Sequence, residues 1–348
     1  MENAIFPLEI FSLIIGNIVP TPSSDLWSLP DYSHDPDLLR CSVVCKAFVA
    51  PARKHLFRHI HILFHTQAYI KCIQNLVNVL ETHPTLKYCI QAISCCTNYH
   101  DGHEADESSM ATWNDPSFLI LLRLPNLRHL SIGCTCNSPN ASLSYNWSRA
   151  TTFGPQMLLD HYITQASLLT LKIDKVNNLP CNSLLAAPAL KNLKISDSHF
   201  QNTDVQSNTL SPITRMELSS VRNIPLSFLY RCKWLKRLKM GSTYFNQGYS
   251  SALLKSLQSN DLVPAFEHLR SIEATGRVQW DLLCLTARDA GVIAFPAVER
   301  FRLDGLAFRD RRNTLSKASD HFKILKRLII NAPGMKQATT PSSSLTWY

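Results

Sequence analysis

A chain of 348 residues, 45% of them hydrophobic, can bury a substantial core. This excludes a largely unfolded polymer and allows either two or three compact domains or one elongated repeat array. The formal charge of +9, from 35 Lys and Arg against 26 Asp and Glu, suits acidic proteins, nucleic acid or anionic membrane and singles out none of them.

The opening segment is apolar, but no Lys or Arg precedes it, and Pro7 and Glu9 interrupt it, so no secretion leader is expected. Farther along, Phe118 to Leu130 is broken by Arg123, Pro125, Asn126 and Arg128 and falls short of the roughly 18 apolar residues of a membrane span. The reading is a soluble intracellular protein, cytoplasmic or nuclear, with no membrane partner. Eleven cysteines follow no framework. Cys41, Cys72 and Cys232 occupy apolar periodic positions, where reduced thiols serve as small buried hydrophobes. The sequons at Asn140 and Asn146 matter only on a secretory route and carry little weight.

A first helix is predicted from near Pro7 to just before Pro20, with Ile10, Leu13, Ile14 and Ile18 at three- and four-residue spacing. Thr21 to Pro36, with Pro22, Pro30 and Pro36, reads as an inserted surface loop. Asp37 is placed to cap a second helix, Leu38 to Cys45, and a third follows through Phe48 and Ala52 to Phe57. Helices this brief are marginal alone. They must pack on one another and leave apolar surface for a partner.

The matching residues, in order, are Pro7, Glu9, Ile10, Ile14, Leu38, Leu39, Cys41, Ser42, Val44, Cys45, Phe48, Ala52, Arg53, Leu56 and Phe57, closed by the strand His59-Ile60-His61-Ile62. This pattern over residues 1–62 resembles the F-box family in its fungal type. Phe6 stands where that family has leucine and Phe48 where it commonly has tryptophan, both keeping apolar bulk, and the Pro20–Pro36 insertion is longer than usual. The resemblance implies that Phe6, Pro7, Leu8, Ile14, Ile18, Leu39, Val44, Cys45 and Phe48 contact a Skp-type adaptor, which bridges to a cullin ligase core.

A helix is expected over Tyr69 to Leu80, then an acidic loop near 100–116. From residue 127 a cassette recurs with apolar residues at positions 1, 4 and 6. Its copies are Leu127/Leu130/Ile132, Leu168/Leu171/Ile173, Leu190/Leu193/Ile195, Ile213/Met216/Leu218, Leu235/Leu238/Met240, Leu269/Ile272/Ala274, Val298/Phe301/Leu303 and Leu325/Leu328/Ile330. First residues stand 41, 22, 23, 22, 34, 29 and 27 apart, around the period of about 20 to 29 residues of leucine-rich repeats. Positions 4 and 6 turn inward on a short strand, and helices such as Pro155 to Ile163 and Ser250 to Leu257 return the chain. Residues 63–336 therefore resemble an irregular leucine-rich-repeat solenoid of α/β class, without the family's Asn or Cys three residues past each cassette, where Thr135, Val176, Ser198, Val221 and Thr243 stand. Residues 337–348 read as a disordered tail. Between Glu299 and Lys336, ten basic residues face four acidic ones, read as a solvated face.

Ten glycines, the closest pair being Gly241 and Gly248, leave no phosphate-cradling loop, and the familiar hydrolase and zinc-protease signatures are missing. His59-x-His61-x-x-x-His65, Cys134-x-Cys136, and Cys95-Cys96 near His100 and His103 read as surface or loop residues, so no metal and no cofactor are expected. The expected function is a non-enzymatic substrate receptor of a cullin-RING ubiquitin ligase, with the F-box docking the adaptor and the repeats holding a protein client. The alternative is an F-box scaffold that binds a partner without delivering it for ubiquitination. Outward repeat residues such as Arg128, Lys172, Lys194, Arg215, Lys236 and Arg302 are the candidate client contacts, with no nucleic acid partner.

Overall fold

Extended chain turns alternate side chains to opposite faces, and the fourth and sixth residues of the first seven cassettes accordingly lie buried on one side of a strand. The computed structural model describes residues 10, 13–15, 36–44, 46–63, 67–97, 116–134, 145–147, 155–201, 209–245, 263, 265–278, 280–304 and 322–331. The fold is mixed α/β with parallel strands, and the chain divides into two units, Met1–Ile213 and Thr214–Tyr348.

In the first unit, helices α1 (Pro36–Val44) and α2 (Lys46–Leu56) precede strand β1 (His59–Leu63) and helix α3 (Gln67–Thr82). A 3₁₀ turn at Pro84–Tyr88 leads to β2 (Ala92–Thr97), and a second at Pro116–Leu122 leads to β3 (His129–Cys134). Then come β4 (Tyr145–Asn146), α4 (Pro155–Ile163), β5 (Thr170–Asp174), β6 (Val176–Asn177), α5 (Cys181–Ala186) and β7 (Asn192–Ser196). Strands β1, β2, β3, β5 and β7 pair in that order, all parallel, and β4 pairs with β6. The register stacks Ile60, Ile93, Leu130, Leu171 and Leu193 in one buried column and Ile62, Cys95, Ile132, Ile173 and Ile195 in another.

In the second unit, β8 (Arg215–Ser219), β9 (Arg237–Thr243), β10 (Ser271–Val278), β11 (Arg300–Asp304) and β12 (Arg327–Asn331) form a parallel ladder in chain order. Helix α6 (Leu226–Arg231) follows β8, and α7 (Trp280–Asp289) follows β10. Gly241 faces Thr275 across β9 and β10, where an added Cβ would fall 2.7 Å from Thr275 Oγ1. A spine of aromatic rings runs beside the ladder, with Phe266 stacked on Phe295 at 5.7 Å and Phe295 on Phe322 at 5.4 Å. Each of these three phenylalanines stands three residues before a cassette's first position.

The same backbone device opens strands in both units. The carbonyl of a cassette's second residue accepts from two successive N–H groups of the next repeat, as Arg128 O does from Leu169 N at 2.9 Å and Thr170 N at 3.0 Å. Arg270 O does so from Glu299 N and Arg300 N, both at 3.0 Å. The eighth residue then takes a left-handed conformation: Lys175, Asp197, Ser220 and Ser242 have φ between 45° and 54°. The ninth residue, Val176, Ser198, Val221 or Thr243, is buried. Helices α5 and α6 each start after an extended proline, Pro180 and Pro225, which cannot donate to a preceding turn.

All three apolar residues of the first seven cassettes are buried, while Leu325 and Leu328 of the eighth are half-buried. A cassette not anticipated from the sequence, Ile90/Ile93/Cys95, builds β2 and is buried throughout. The strand His59 to Ile62 is hydrogen-bonded to β2, so the segment expected to close the N-terminal domain is also the first strand of the ladder. Helix α1 begins at Pro36, so Asp37 lies inside its first turn rather than capping it, 3.3 Å from Arg40 Nη1. Proline suits that first turn because its missing N–H would have no partner there. The expected helix over Tyr69 to Leu80 extends to Gln67–Thr82, and that over Pro155 to Ile163 is found at those bounds. The helix over Ser250 to Leu257, the loop from Thr21 to Asp35, residues 100–115 and the 337–348 tail lie outside the described residues.

Candidate functional site

The N-terminal helices place apolar side chains on both their inner and outer faces. Ile15, Leu38 and Ala52 form a buried cluster against which Cys41, Phe48 and Leu56 pack. A bundle this small has few inward positions, and among the described residues several of its apolar side chains face out. Val43 is 82% exposed, Val44 71% and Leu13 64%, with Ile10, Ile14 and Leu39 also exposed. Ile10, Leu13 and Ile14 share one helical face, as Leu39 and Val43 do on α1, because residues three and four apart are neighbours on a helix. Scattered exposed apolar residues are ordinary, whereas contiguous ones mark an interaction surface.

Of the residues expected to meet an adaptor, Ile14, Leu39 and Val44 are exposed, whereas Phe48 is half-buried against the Ile15, Leu38 and Ala52 cluster. Phe6, Pro7, Leu8, Ile18 and Cys45 lie outside the described residues. Leu13 and Val43, absent from the expected set, are the more exposed of their neighbours. Their signal was available: Val43 lies four residues from the expected contact Leu39, and Leu13 lies three from Ile10 in the same apolar periodicity.

The outward faces of the strands differ in charge. In the first unit the row on that face, His59, Ala92, His129, Thr170, Asn192, carries no Lys, Arg, Asp or Glu, and its Ala92 and Thr170 are buried. The next row includes Lys172 beside Lys194, both half-buried, and Ser196 Oγ donates to Asp174 Oδ1 at 2.6 Å beyond them. Burial and the nearby Arg58 and Arg128 guanidinium groups hold the His129 imidazole well below its ordinary value, at about 4.

In the second unit the first outward row is Arg215, Arg237, Ser271, Arg300, Arg327, and the second is Glu217, Lys239, Glu273, Arg302, Ile329. Lys239 Nζ lies 3.7 Å from Glu217 and 4.0 Å from Glu273, so the second row is largely self-neutralised. Arg302 Nε lies 2.8 Å from Asp304 Oδ2, an ion pair by distance with its N–H poorly aligned. Of the expected client contacts, Lys172, Lys194, Arg215 and Arg302 lie on outward strand faces, and Arg302 has a carboxylate of its own. Arg128 and Lys236 are exposed but precede their strands, because each strand begins at the cassette's third residue.

Among the described residues no group of three or more His, Cys, Asp or Glu side chains is arranged to hold a metal ion, and no disulfide forms. His59 and His61 share the outward face of β1 with ring centroids 4.2 Å apart, and His59 Nε2 lies 2.7 Å from Ser94 Oγ. His65, His100, His103 and Cys136 lie outside the described residues. The Asn146 side chain is engaged, its Oδ1 accepting from Asn178 Nδ2 at 2.9 Å. No helix among the described residues is long and apolar enough to cross a membrane. No protein-family model matches the sequence, and no curated protein matches it.

Proposed function

We propose that this chain is a substrate receptor of a cullin-RING ubiquitin ligase, in which an N-terminal F-box docks a Skp-type adaptor and a leucine-rich-repeat-like array holds a protein client. The observation that carries the reading is the outward apolar face of the N-terminal helices, where Leu13, Val43 and Val44 stand largely in water. Each such side chain is worth roughly 1.5 to 3 kcal/mol when buried, so a partner that covers several gains a substantial part of its binding energy there. The adaptor and cullin supply the ligase core, and this chain contributes proximity between ligase and client without chemistry of its own.

The test is capture of the tagged full chain from cells followed by identification of what comes with it. Wild-type chain is expected to bring a Skp-type adaptor and a cullin. Replacing Val43 and Val44 together with Glu, positions too exposed to disturb the core, is expected to remove both while leaving the melting temperature within a few degrees. Undiminished adaptor capture by the folded V43E/V44E chain overturns the docking face.

A further inference from the structure

Arginine stands opposite arginine twice on the second unit's strand face, Arg215 beside Arg237 and Arg300 beside Arg327, with Ser271 between the pairs. Neighbouring strands lie about 4.8 Å apart, and like charges directly opposite one another repel. Arg237, Arg300 and Arg327 are exposed and Arg215 is half-buried. Among the described residues no carboxylate lies within ion-pair distance of any of the four. The neighbouring row shows how the same sheet neutralises itself, with Lys239 set between Glu217 and Glu273. Lys236 and Arg270, exposed just ahead of β9 and β10, extend the cationic strip on its other side.

We propose that an acidic segment of the client lies extended across β8 to β12, its carboxylates on alternate residues pairing with this arginine row. The inference rests on the reading of the strand face as the client surface and names the chemistry it selects. Four interstrand steps span about 19 Å, which extended chain covers in roughly six residues, three of them facing the row. The strip's width favours a peptide over nucleic acid. Glu217 and Glu273 stand in the adjoining row, so carboxylates on alternate peptide residues reach the arginines alone, whereas a phosphate at every unit of a nucleic acid would also meet those carboxylates. One face of the exposed Trp234 ring is already covered by His268, at 4.9 Å and 13° between planes, rather than offered to a base.

The experiment is fluorescence anisotropy on the purified full chain with three labelled probes: a Glu-Ser-Glu-Ser-Glu-Ser hexapeptide, its Gln-Ser counterpart, and a six-nucleotide oligothymidylate. The acidic hexapeptide is expected to bind best, more weakly as salt rises, because the contact is charge-driven. Arg237→Gln with Arg300→Gln is expected to weaken it about tenfold, as two partly exposed charge pairs imply. Lys71→Gln, an exposed position on helix α3, should leave affinity within about twofold. If the double variant fails to fold, Arg327→Gln alone replaces it, with about threefold weakening expected.

Equal binding of the glutamine peptide overturns the acidic chemistry while leaving the strand face as a peptide surface. Unchanged affinity in the folded arginine variants, or tighter binding of the oligothymidylate, overturns the inference outright. Because no adaptor is present in the assay, failure of adaptor capture in cells is read separately from failure of the peptide to bind.

Discussion

Ser198 Oγ accepts a hydrogen bond from Val176 N at 3.0 Å and donates one to Ser196 O at 2.6 Å, so a single buried hydroxyl ties one repeat's turn to the next. It stands at the cassette's ninth position, directly after the left-handed Asp197. Both Ser198 and Val176 are fully buried, so water cannot replace the bond.

Ser198→Ala therefore leaves a buried N–H without its acceptor, which costs about 1 to 3 kcal/mol. Thr243, the ninth residue two cassettes later, is equally buried, but its Oγ1 has no partner among the described residues. Thr243→Val removes a desolvated hydroxyl at nearly constant volume and should be neutral or stabilising. Urea denaturation of the two variants is expected to move the midpoint in opposite directions or to move only Ser198→Ala. Equal losses in both would remove Ser198's special role.

Tyr162 on α4 performs a comparable task through a longer side chain. Its hydroxyl donates to Leu121 O and accepts from Leu124 N, the latter at 3.2 Å, holding the 3₁₀ segment against the helix. Tyr162→Phe keeps the packed ring and strands both backbone groups, so a loss of about 1 to 3 kcal/mol is expected. Burial also pushes the phenol up to about 12. A group that stays protonated longer in the folded state gives stability that is present below its unfolded value near 10 and fades as pH rises toward 12. Thermal melts at pH 8 and 11 should thus show a larger alkaline loss in wild type than in Tyr162→Phe. Parallel losses would place the alkaline sensitivity elsewhere.

Much of the strand architecture was legible because the 1, 4, 6 spacing of apolar residues is a direct image of which side chains the ladder buries. Strand β2 escaped because its sixth position is Cys95, a thiol that packs as a hydrophobe, and because 37 residues separate Ile90 from Leu127. The aromatic spine was equally visible in hindsight: Phe266-x-x-Leu269, Phe295-x-x-Val298 and Phe322-x-x-Leu325 repeat one spacing. So do the paired turns Asn178-Leu179-Pro180 and Asn223-Ile224-Pro225, whose asparagines both take positive φ. What no spacing could reveal was the sideways register. Arg237 and Arg300 are 63 positions apart in sequence and become members of one row only because β9, β10 and β11 pair without slippage at Ser271. The exposed helix face was legible as periodicity but not as direction, since an apolar stripe reads the same whether it turns inward like Leu38 or outward like Val43.

His129 links the first unit's strand face to acid sensitivity. It lies half-buried on β3 with its Nδ1 lacking a hydrogen-bond partner, and Arg58 and Arg128 add positive charge nearby. Burial first, and those guanidinium groups second, depress its value to about 4 from the unfolded 6.5. The folded state thus prefers the neutral ring, and the stability this gives is complete above about pH 6.5 and is lost as pH falls toward 4. His55 is shifted in the same direction, again chiefly by burial. His129→Gln removes one titrating group and retains His55, so the difference between variant and wild type isolates His129. Urea midpoints at pH 7.5 and 4.5 are expected to fall further in wild type than in His129→Gln. Identical acid losses in the two chains would mean that protonating this ring costs the fold nothing, and that water reaches it more freely than its burial implies.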